Sequence, residues 1–555
     1  MPALAQDASQ SRPRSLPAPP VAAPAAPPLP ADAATAEVII NSVSGIAFVP
    51  AGDSAPLTDG IDVARIPMLD TAAFRASLAA RLGRPASLAD LNAIAREAVL
   101  AHRAGGRPLV DVSIPEQDVS AGRVRFVVSE FRVGQVLVEG NRHVPAERIR
   151  EAIRLAPGDV VYQPQLVQDL EWLATNPFRR VDIIYRRGEA PFTTDVIARV
   201  QDRSPLRAYA GFENNGQPAT QRGRLFAGIN WGAMFGGDGQ AAYQYTTSPD
   251  LFDRRGGRGV SFQAHAVTLL QPLAGRSSIL AFGTWQRVRP DLGPFFDVAG
   301  ENWQLSLRYS RIVARGATLS IGYDFKQSDN DLLFGGTSVS AQATRIHQLV
   351  LDLTTTARLA GGGSITFGGT AFLSPGGIGA RNSDGAFQPG AAQAGVAFAR
   401  ATYAYARGTI NAAIPIAAGF EARTRLTGQI STGNLLPSEQ LAIAGPGFVR
   451  GYDPNAVLGA QGLTVSQEVF APAFSLGTGR DEGRVGAFFD AGMAGNPDRL
   501  PGEPRWARTT SAGLTGLFAL SPYVQLRLDY GWQLRTLPGA SRRGQIGFIS
   551  ATAGF

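Results

Sequence analysis

From about residue 206 to residue 555 helical periodicity disappears and a period of two takes its place. In "YVQLRLDYGWQL" (523–534), Val524, Leu526, Leu528, Tyr530, Trp532 and Leu534 point one way, while Gln525, Arg527, Asp529, Gly531 and Gln533 point the other. The same alternation runs through "WQLSLRY" (303–309) and "HQLVLDL" (347–353), and more weakly through "EARTRLTGQI" (421–430). Alternation alone suits any half-buried antiparallel sheet. The extent is what constrains the fold: about 350 residues of strand-like segments, joined by glycine-rich turns, with no helix to cover them. A soluble sandwich of that size would divide into smaller domains. A closed barrel instead turns its apolar face to lipid and its polar face to a wet lumen, and leaves no strand edge unpaired. The expectation is a transmembrane antiparallel β-barrel over 205–555. At about 20–22 residues per strand and connection it has about 16 strands, an even number. Tyr309, Trp303, Tyr530 and Trp532 suit interfacial girdles, and Phe555 closes the chain on an aromatic residue.

Composition narrows the chemistry. Cysteine is absent, which removes disulfides, thiolate catalysis and cysteine metal sites together. The four histidines (His102, His143, His265, His347) are isolated, so neither a metal site nor a cofactor is expected. No run of about eighteen apolar residues occurs, so no transmembrane helix is expected. Net charge is +7, but no Lys/Arg block or basic helix occurs, and nucleic acid is not an expected partner. Glu116 and Asp118 lie in a turn rather than as a catalytic pair, and no enzymatic activity is expected. Ala3-Leu4-Ala5 before Gln6 suits the small-residue end of a signal cleavage site, or simply an alanine-rich start.

Residues 1–35, rich in Pro and Ala, suit an extended semi-rigid linker. The next 170 residues mix helices and strands, with one unit used twice, over 36–130 and 131–204. In the second copy "FRVGQVLVEGN" (131–141) suits a strand. "PAERIREAIRLAPGD" (145–159) suits a helix stopped by Pro157-Gly158, with Ile149, Ala152, Ile153 and Ala156 on one face. A second helix over 163–177 carries Leu166, Leu170 and Leu173, and two strands follow. The first copy suits a strand near 37–49, helices near 70–82 and 87–104, and strands at 108–114 and 123–129.

One loop stands out. "GPGFVRGYDPNA" (445–456) sets Arg450 among apolar neighbours, inside a connection from about 432 to 462 that is long for a hairpin. In "VGAFFDAGMAG" (485–495), Phe488, Asp490 and Gly492 share a face, with Ala487, Phe489 and Ala491 on the lipid side. Asp490 then projects into the lumen, and Arg450 reaches it only if the loop folds back into the barrel. Arg308, Asp352, Arg423, Arg425, Arg527 and Asp529 are candidates to line the pore.

"VRGY" (449–452) followed by "F-x-D-x-G" (488–492) resembles the paired signatures of the POTRA-plus-barrel outer-membrane superfamily. Together with "IPEQDVSAGRVRFVV" (114–128), "NPFRRVDI" (176–183) and "GFENNGQPATQRGRLFAGINW" (211–231), the chain resembles its two-partner secretion transporters, the TpsB family of haemolysin and adhesin exporters. The resemblance covers about 36–555. It implies two α+β POTRA domains before the barrel, outer-membrane localisation with the POTRA domains in the periplasm, and secretion of a large TpsA-type client that those domains bind. It assigns Val449, Arg450, Gly451 and Tyr452 to a loop anchor, and Phe488, Asp490 and Gly492 to its partner on the barrel wall. A barrel-assembly protein of the same superfamily is the alternative, although such proteins typically carry more POTRA units. The family usually begins with a pore-plugging helix; residues 1–11 here form a poor one.

Overall fold

The structure, a computed structural model, describes residues 12–14, 21–27, 29, 37–234, 237–252, 259–293, 295–334, 337–388, 399–477, 481–499, 501–521, 523–537 and 543–555. The candidate cleavage site and plug over residues 1–11 lie outside the described residues. The chain separates into two compact units, Leu16–Ser204 and Pro205–Phe555, the latter together with residues up to Ser15.

Among the described residues of Leu16–Ser204 there are two main sheets, each with its own core, and a two-stranded pair of Val38–Ile40 with Ala86–Ser87. The first has the order Gly60–Asp62, Gly45–Pro50, Arg123–Glu130, Val110–Ser113. Its two central strands run parallel with Phe48 opposite Phe126, and these rings stack at 4.8 Å. Helices Ala72–Ala79 and Leu88–Ala104 cover it, burying Leu78, Leu91 and Ile94. The longer helix starts where it does because Ser87 and Asp90 form a capping box. The Asp90 N–H donates to the Ser87 hydroxyl at 3.2 Å and the Ser87 N–H to the Asp90 carboxylate at 2.9 Å. Hydrogen bonds from Ser87 hold the Asp90 carboxyl below its usual range.

The second sheet has the order Arg132–Glu139, Thr193–Asp202, Arg179–Arg187. Helices Ala146–Ala152 and Gln163–Leu173 pack on it through Ile149, Leu166, Leu170 and Leu173. The first of these helices is shorter than its periodicity predicts. It ends at Ala152 because the next turn is drawn away by side chains: buried Asp169 accepts the Arg154 N–H at 3.1 Å and Nε at 2.8 Å, and Asp159 accepts the Ala156 N–H at 2.8 Å. The strand expected over 37–49 is two strands, Val38–Ile40 and Gly45–Pro50, and Gly60–Asp62 is an added edge. The proline-rich segment is not wholly a free linker. Pro24 and Pro27 carbonyls accept bonds from Gln163 and Arg103, and Val21 and Leu29 pack on the two cores.

Among the described residues of the other unit, sixteen antiparallel strands close a barrel. In order they are Leu206–Glu213, Arg224–Met234, Gly239–Thr247, Phe262–Leu273, Ser277–Val288, Phe296–Ala314, Ala317–Phe334 and Thr337–Arg358, then Ser364–Pro375, Thr402–Pro415, Glu421–Ser431, Gln461–Phe470, Glu482–Gly495, Ala507–Ser521, Val524–Gln533 and Gln545–Gly554. Closure is made by the first and last strands, with Tyr209 opposite Gly554 and Glu213 opposite Ser550. Every strand pairs with its sequence neighbour, as an up-and-down meander requires.

The alternating pattern becomes an inside and an outside. Leu305, Leu307, Ile321, Leu349 and Leu351 are exposed on the outer face, as lipid-facing groups must be when no lipid is present. Gln304, Ser306, Arg308, Gln348 and Asp352 turn inward. Tyr245, His265, Trp285 and Trp303 occupy directly paired positions on four successive strands, a row of rings at one level of the outer surface. Such a row suits the interfacial girdle of a membrane barrel.

Candidate functional site: an inward loop held on the barrel wall

The connection between the eleventh and twelfth strands, residues 432–460, contains a short hairpin of Leu441–Ala442 with Leu458–Gly459. Its side chains reach inward-facing residues on strands from opposite parts of the barrel, so the loop lies inside the lumen. Two cavities, about 590 and about 740 Å³, are bounded by it; Phe448 and Asn455 line both.

At the tip, Arg450 is 1% exposed. Its guanidinium meets Asp490 of the thirteenth strand edge-on, Nε to Oδ2 at 2.7 Å and NH2 to Oδ1 at 2.8 Å, and its backbone N–H adds a bond at 3.1 Å. NH1 donates to Glu468 at 2.6 Å and to Asp529 at 3.0 Å, and NH2 also reaches the Ser466 hydroxyl at 3.1 Å. One flat cation is thereby held by three strands. The Phe488 ring lies 3.4 Å beneath the guanidinium carbon, closing the remaining face. Such a cation is costly to bury alone; three carboxylates and a ring make it stable there and make it costly to remove.

The neighbours in "VRGY" serve the same docking. Val449 is fully buried beside Ala444 and Tyr452. The Tyr452 hydroxyl donates to the Arg535 carbonyl at 2.6 Å, accepts the Thr510 N–H at 3.2 Å and lies 3.0 Å from the Thr510 carbonyl. Gly451 has φ +87°, and a Cβ there would stand 3.0 Å from the Gly531 carbonyl oxygen, so only glycine lets loop backbone lie on strand backbone. Gly492 is the matching gap on the wall: a Cβ would stand 3.1 Å from Ile443 and Val449 of the loop. Phe488, Asp490 and Gly492 share the inner face, and Phe489 is exposed outside.

The profile of the ShlB/FhaC/HecB haemolysin secretion/activation proteins matches residues 193–516, more than half of the sequence. The chain belongs to this family. A ShlB-type POTRA domain profile matches residues 57–130. Among solved structures the chain is similar to CdiB from Escherichia coli, at 18% identity and TM-score 0.71 over 96% of this chain and 94% of that one. It is also similar to CdiB from Acinetobacter baumannii, at 16% identity and TM-score 0.59 over 94% and 91%. The barrel-assembly protein BamA from Haemophilus ducreyi, crystallised without its POTRA domains 1–3, is similar at 12% identity and TM-score 0.51 over 93% and 100%. No curated protein sequence matches the chain at a significant level. As a member of the family, the protein is a two-partner secretion transporter of the outer membrane, with POTRA domains on the periplasmic side and a secreted protein as its partner. The family match decides against the barrel-assembly alternative.

The six pore candidates all face the lumen, in three settings. Arg308 pairs with Asp324 at 2.8 Å and with Asp352 at 3.2 Å on the wall of the larger cavity. Arg423 and Arg425 line the smaller one, bonded to Glu421 and Asn411 respectively. Arg527 and Asp529 also line the smaller cavity and belong to the Arg450 site as well. Asp529 is 5% exposed and bonds both arginines, and Arg527 also reaches Glu468 at 2.9 Å. Alternation shows which side of the wall a residue faces, but not what will be seated against it.

Sequence reasoning missed two features. Residues 12–14, within the expected linker, sit in the lumen. Arg14 bonds Glu213 at 2.5 Å, its N–H reaches the Tyr209 hydroxyl at 2.9 Å, and Arg12 lies over the Phe282 ring. The second feature is a further attachment of the loop. Glu439, 1% exposed, accepts Lys326 Nζ at 2.7 Å, the Tyr405 hydroxyl at 2.7 Å and the Gln348 amide at 3.2 Å. Its backbone carbonyl takes the Gln429 amide at 3.0 Å. A signal for this site was present in the composition: Lys326 is the one lysine of the whole chain.

Proposed function

We propose that this transporter moves an unfolded TpsA-type client from the periplasm through the barrel lumen to the cell surface, with Arg450 and Asp490 holding the inward loop in its working position. Residues 36–130 and 131–204 act as two POTRA units that capture the client. The strands Arg132–Glu139 and Arg179–Arg187 stand at the edges of their sheet, where an extended peptide can add as a further strand. Passage is through a lumen whose inner face is polar, along walls carrying Arg308, Asp352, Arg423 and Arg425. The periplasm supplies no ATP, so the drive comes from folding of the client outside, which prevents its return. No bond is made or broken, and the protein acts without enzymatic chemistry, cofactor or metal. Its other partner is outer-membrane lipid, met by the apolar outer face, and nucleic acid has no part.

The observation that carries this reading is the fully buried Arg450 on three carboxylates inside a sixteen-stranded barrel. Arg450→Ala is expected to abolish export while the barrel remains inserted and keeps its heat-dependent shift in gel mobility. Normal export by that variant overturns the anchoring role.

A further inference from the structure

Of the chain's 52 basic residues one alone is lysine, Lys326. Its place in the fold gives that choice a physical meaning. Lys326 lies on the seventh strand, eight strands round a sixteen-stranded barrel from Asp529, and so on the wall facing the Arg450 site. Its partner Glu439 belongs to the descending stem of the inward loop, whose tip carries Arg450. Stem and tip are therefore each held by a cation–carboxylate contact, on opposite walls, besides the Arg222–Asp453 pair at 2.6 Å and the Thr509–Ile443 bond at 2.9 Å.

The two points differ in the kind of cation they use. A guanidinium binds through a rigid fork, and Arg450 spends that fork on three carboxylates from three strands. An ammonium is a compact, strongly hydrated point charge that separates from a carboxylate without breaking a shaped contact. Lys326 keeps 19% of its side chain accessible and lines the larger cavity, so water can reach it there. Glu439 would not be left bare by its departure, because the Tyr405 hydroxyl and Gln348 amide still donate to it. The lysine, too, keeps an acidic neighbour in Asp324, on the same strand face two residues earlier.

We infer that Lys326 and Glu439 form a releasable latch: they hold the loop stem against the seventh and eighth strands while Arg450 keeps the tip fixed, and their separation widens the cavity walled by Arg308 and Asp352. Both are positioning residues, acting on the path rather than on the client. The inference rests on the reading that a client crosses this lumen.

The lone lysine also supplies the measurement. In full-length protein in membranes, an N-hydroxysuccinimide ester can acylate only the Lys326 amine and the chain's α-amino group, and mass spectrometry of the peptide holding residue 326 separates the two. The expected result is slow modification of the unaltered protein and about tenfold faster modification of Glu439→Gln. The same variant should open more often in planar lipid bilayers. The exchange Lys326→Glu with Glu439→Lys should restore the original frequency of opening, which a merely structural contact would not guarantee. Unchanged modification of Glu439→Gln, or an exchanged pair that behaves like the single variant, overturns the latch. If Glu439→Gln does not assemble a heat-modifiable barrel, Tyr405→Phe removes one bond to Glu439 and should speed modification two- to threefold; an unchanged rate overturns the latch equally. Both readouts work without a client, so lost export with a normally behaving latch counts against the export path alone.

Discussion

Two of the loop's attachments, at Arg450 and at Glu439, are built from the same elements, a cation and carboxylate in the lumen, and differ in almost everything else. At Arg450 one cation meets three carboxylates from strands twelve, thirteen and fifteen, with an aromatic ring below and glycine lying on glycine beside it. At Glu439 one carboxylate gathers a lysine, a tyrosine and a glutamine from strands seven, ten and eight. The first arrangement depends on shape, because every partner is placed to suit a planar fork. The second depends on charge and leaves neutral donors behind when the cation withdraws. A site of the first kind fixes a position. A site of the second kind holds one until something competes for it.

The largest effect should come from Arg450→Ala. It strands Asp490 in a buried site and leaves Glu468 and Asp529 to Arg527 alone, a loss of about 3–5 kcal/mol for seating the tip by analogy with broken buried pairs. Export measured in culture supernatants should vanish while barrel assembly persists. Next, the same chemical change made at each carboxylate sharpens the contrast. Asp490→Asn should lower export more than tenfold, since an amide offers the fork one acceptor oxygen and no charge, whereas Glu439→Gln should leave export within about threefold. Equal losses at both sites would remove the distinction between them. Lys326→Arg should convert the second site toward the first, reducing channel openings in bilayers and slowing export severalfold; an increase in openings would contradict it.

The smallest effect marks the lower end of the scale, at a carboxylate that ties down backbone alone. Burial raises the Asp202 carboxyl, but N–H bonds from His143 at 2.7 Å and from Arg142 and Val144 at 3.0 Å outweigh it and hold the group below its usual range. A carboxylate depressed on folding contributes stability above its unfolded value, about pH 3.9, and loses it as pH falls through the folded value. Protection of residues 142–144 against hydrogen exchange, measured relative to the intrinsic rate at each pH, should therefore fall below about pH 4 in the parent protein. Asp202→Asn should show lower protection already at neutral pH and little further change in it with acid. A parent-like profile in that variant would deny the carboxylate its role.

Much of this was legible in the chain because two of its signals are local. A strict period of two fixes which side chains share a face, and on "YVQLRLDYGWQL" it assigned lipid and lumen sides that the structure repeats. Glycine-bearing motifs such as "VRGY" and "F-x-D-x-G" mark places where backbone must come close, and the gaps at Gly451 and Gly492 are such places. Helix ends were less legible. The helix at Ala146–Ala152 stops under the pull of Asp169, a residue of the next helix, and no local residue announces it. For Asp529 alternation gave the direction toward the lumen but not its neighbours there, Arg450 and Arg527.

The sequence by itself determined the barrel and its facing, since period and length repeat along the whole chain, and its paired motifs marked Arg450 and Asp490 as partners through the resemblance they carry. The tertiary structure alone decided that Glu468 and Asp529 complete the arginine's surroundings, that Arg12 and Arg14 enter the lumen, and that Glu439 finds the chain's one lysine. The reason is geometric. Closing sixteen strands into a cylinder brings opposite walls within reach of one folded-in loop. Partners separated by 79 residues at Arg450 and by 113 at Glu439 then become first neighbours, a proximity no local pattern encodes.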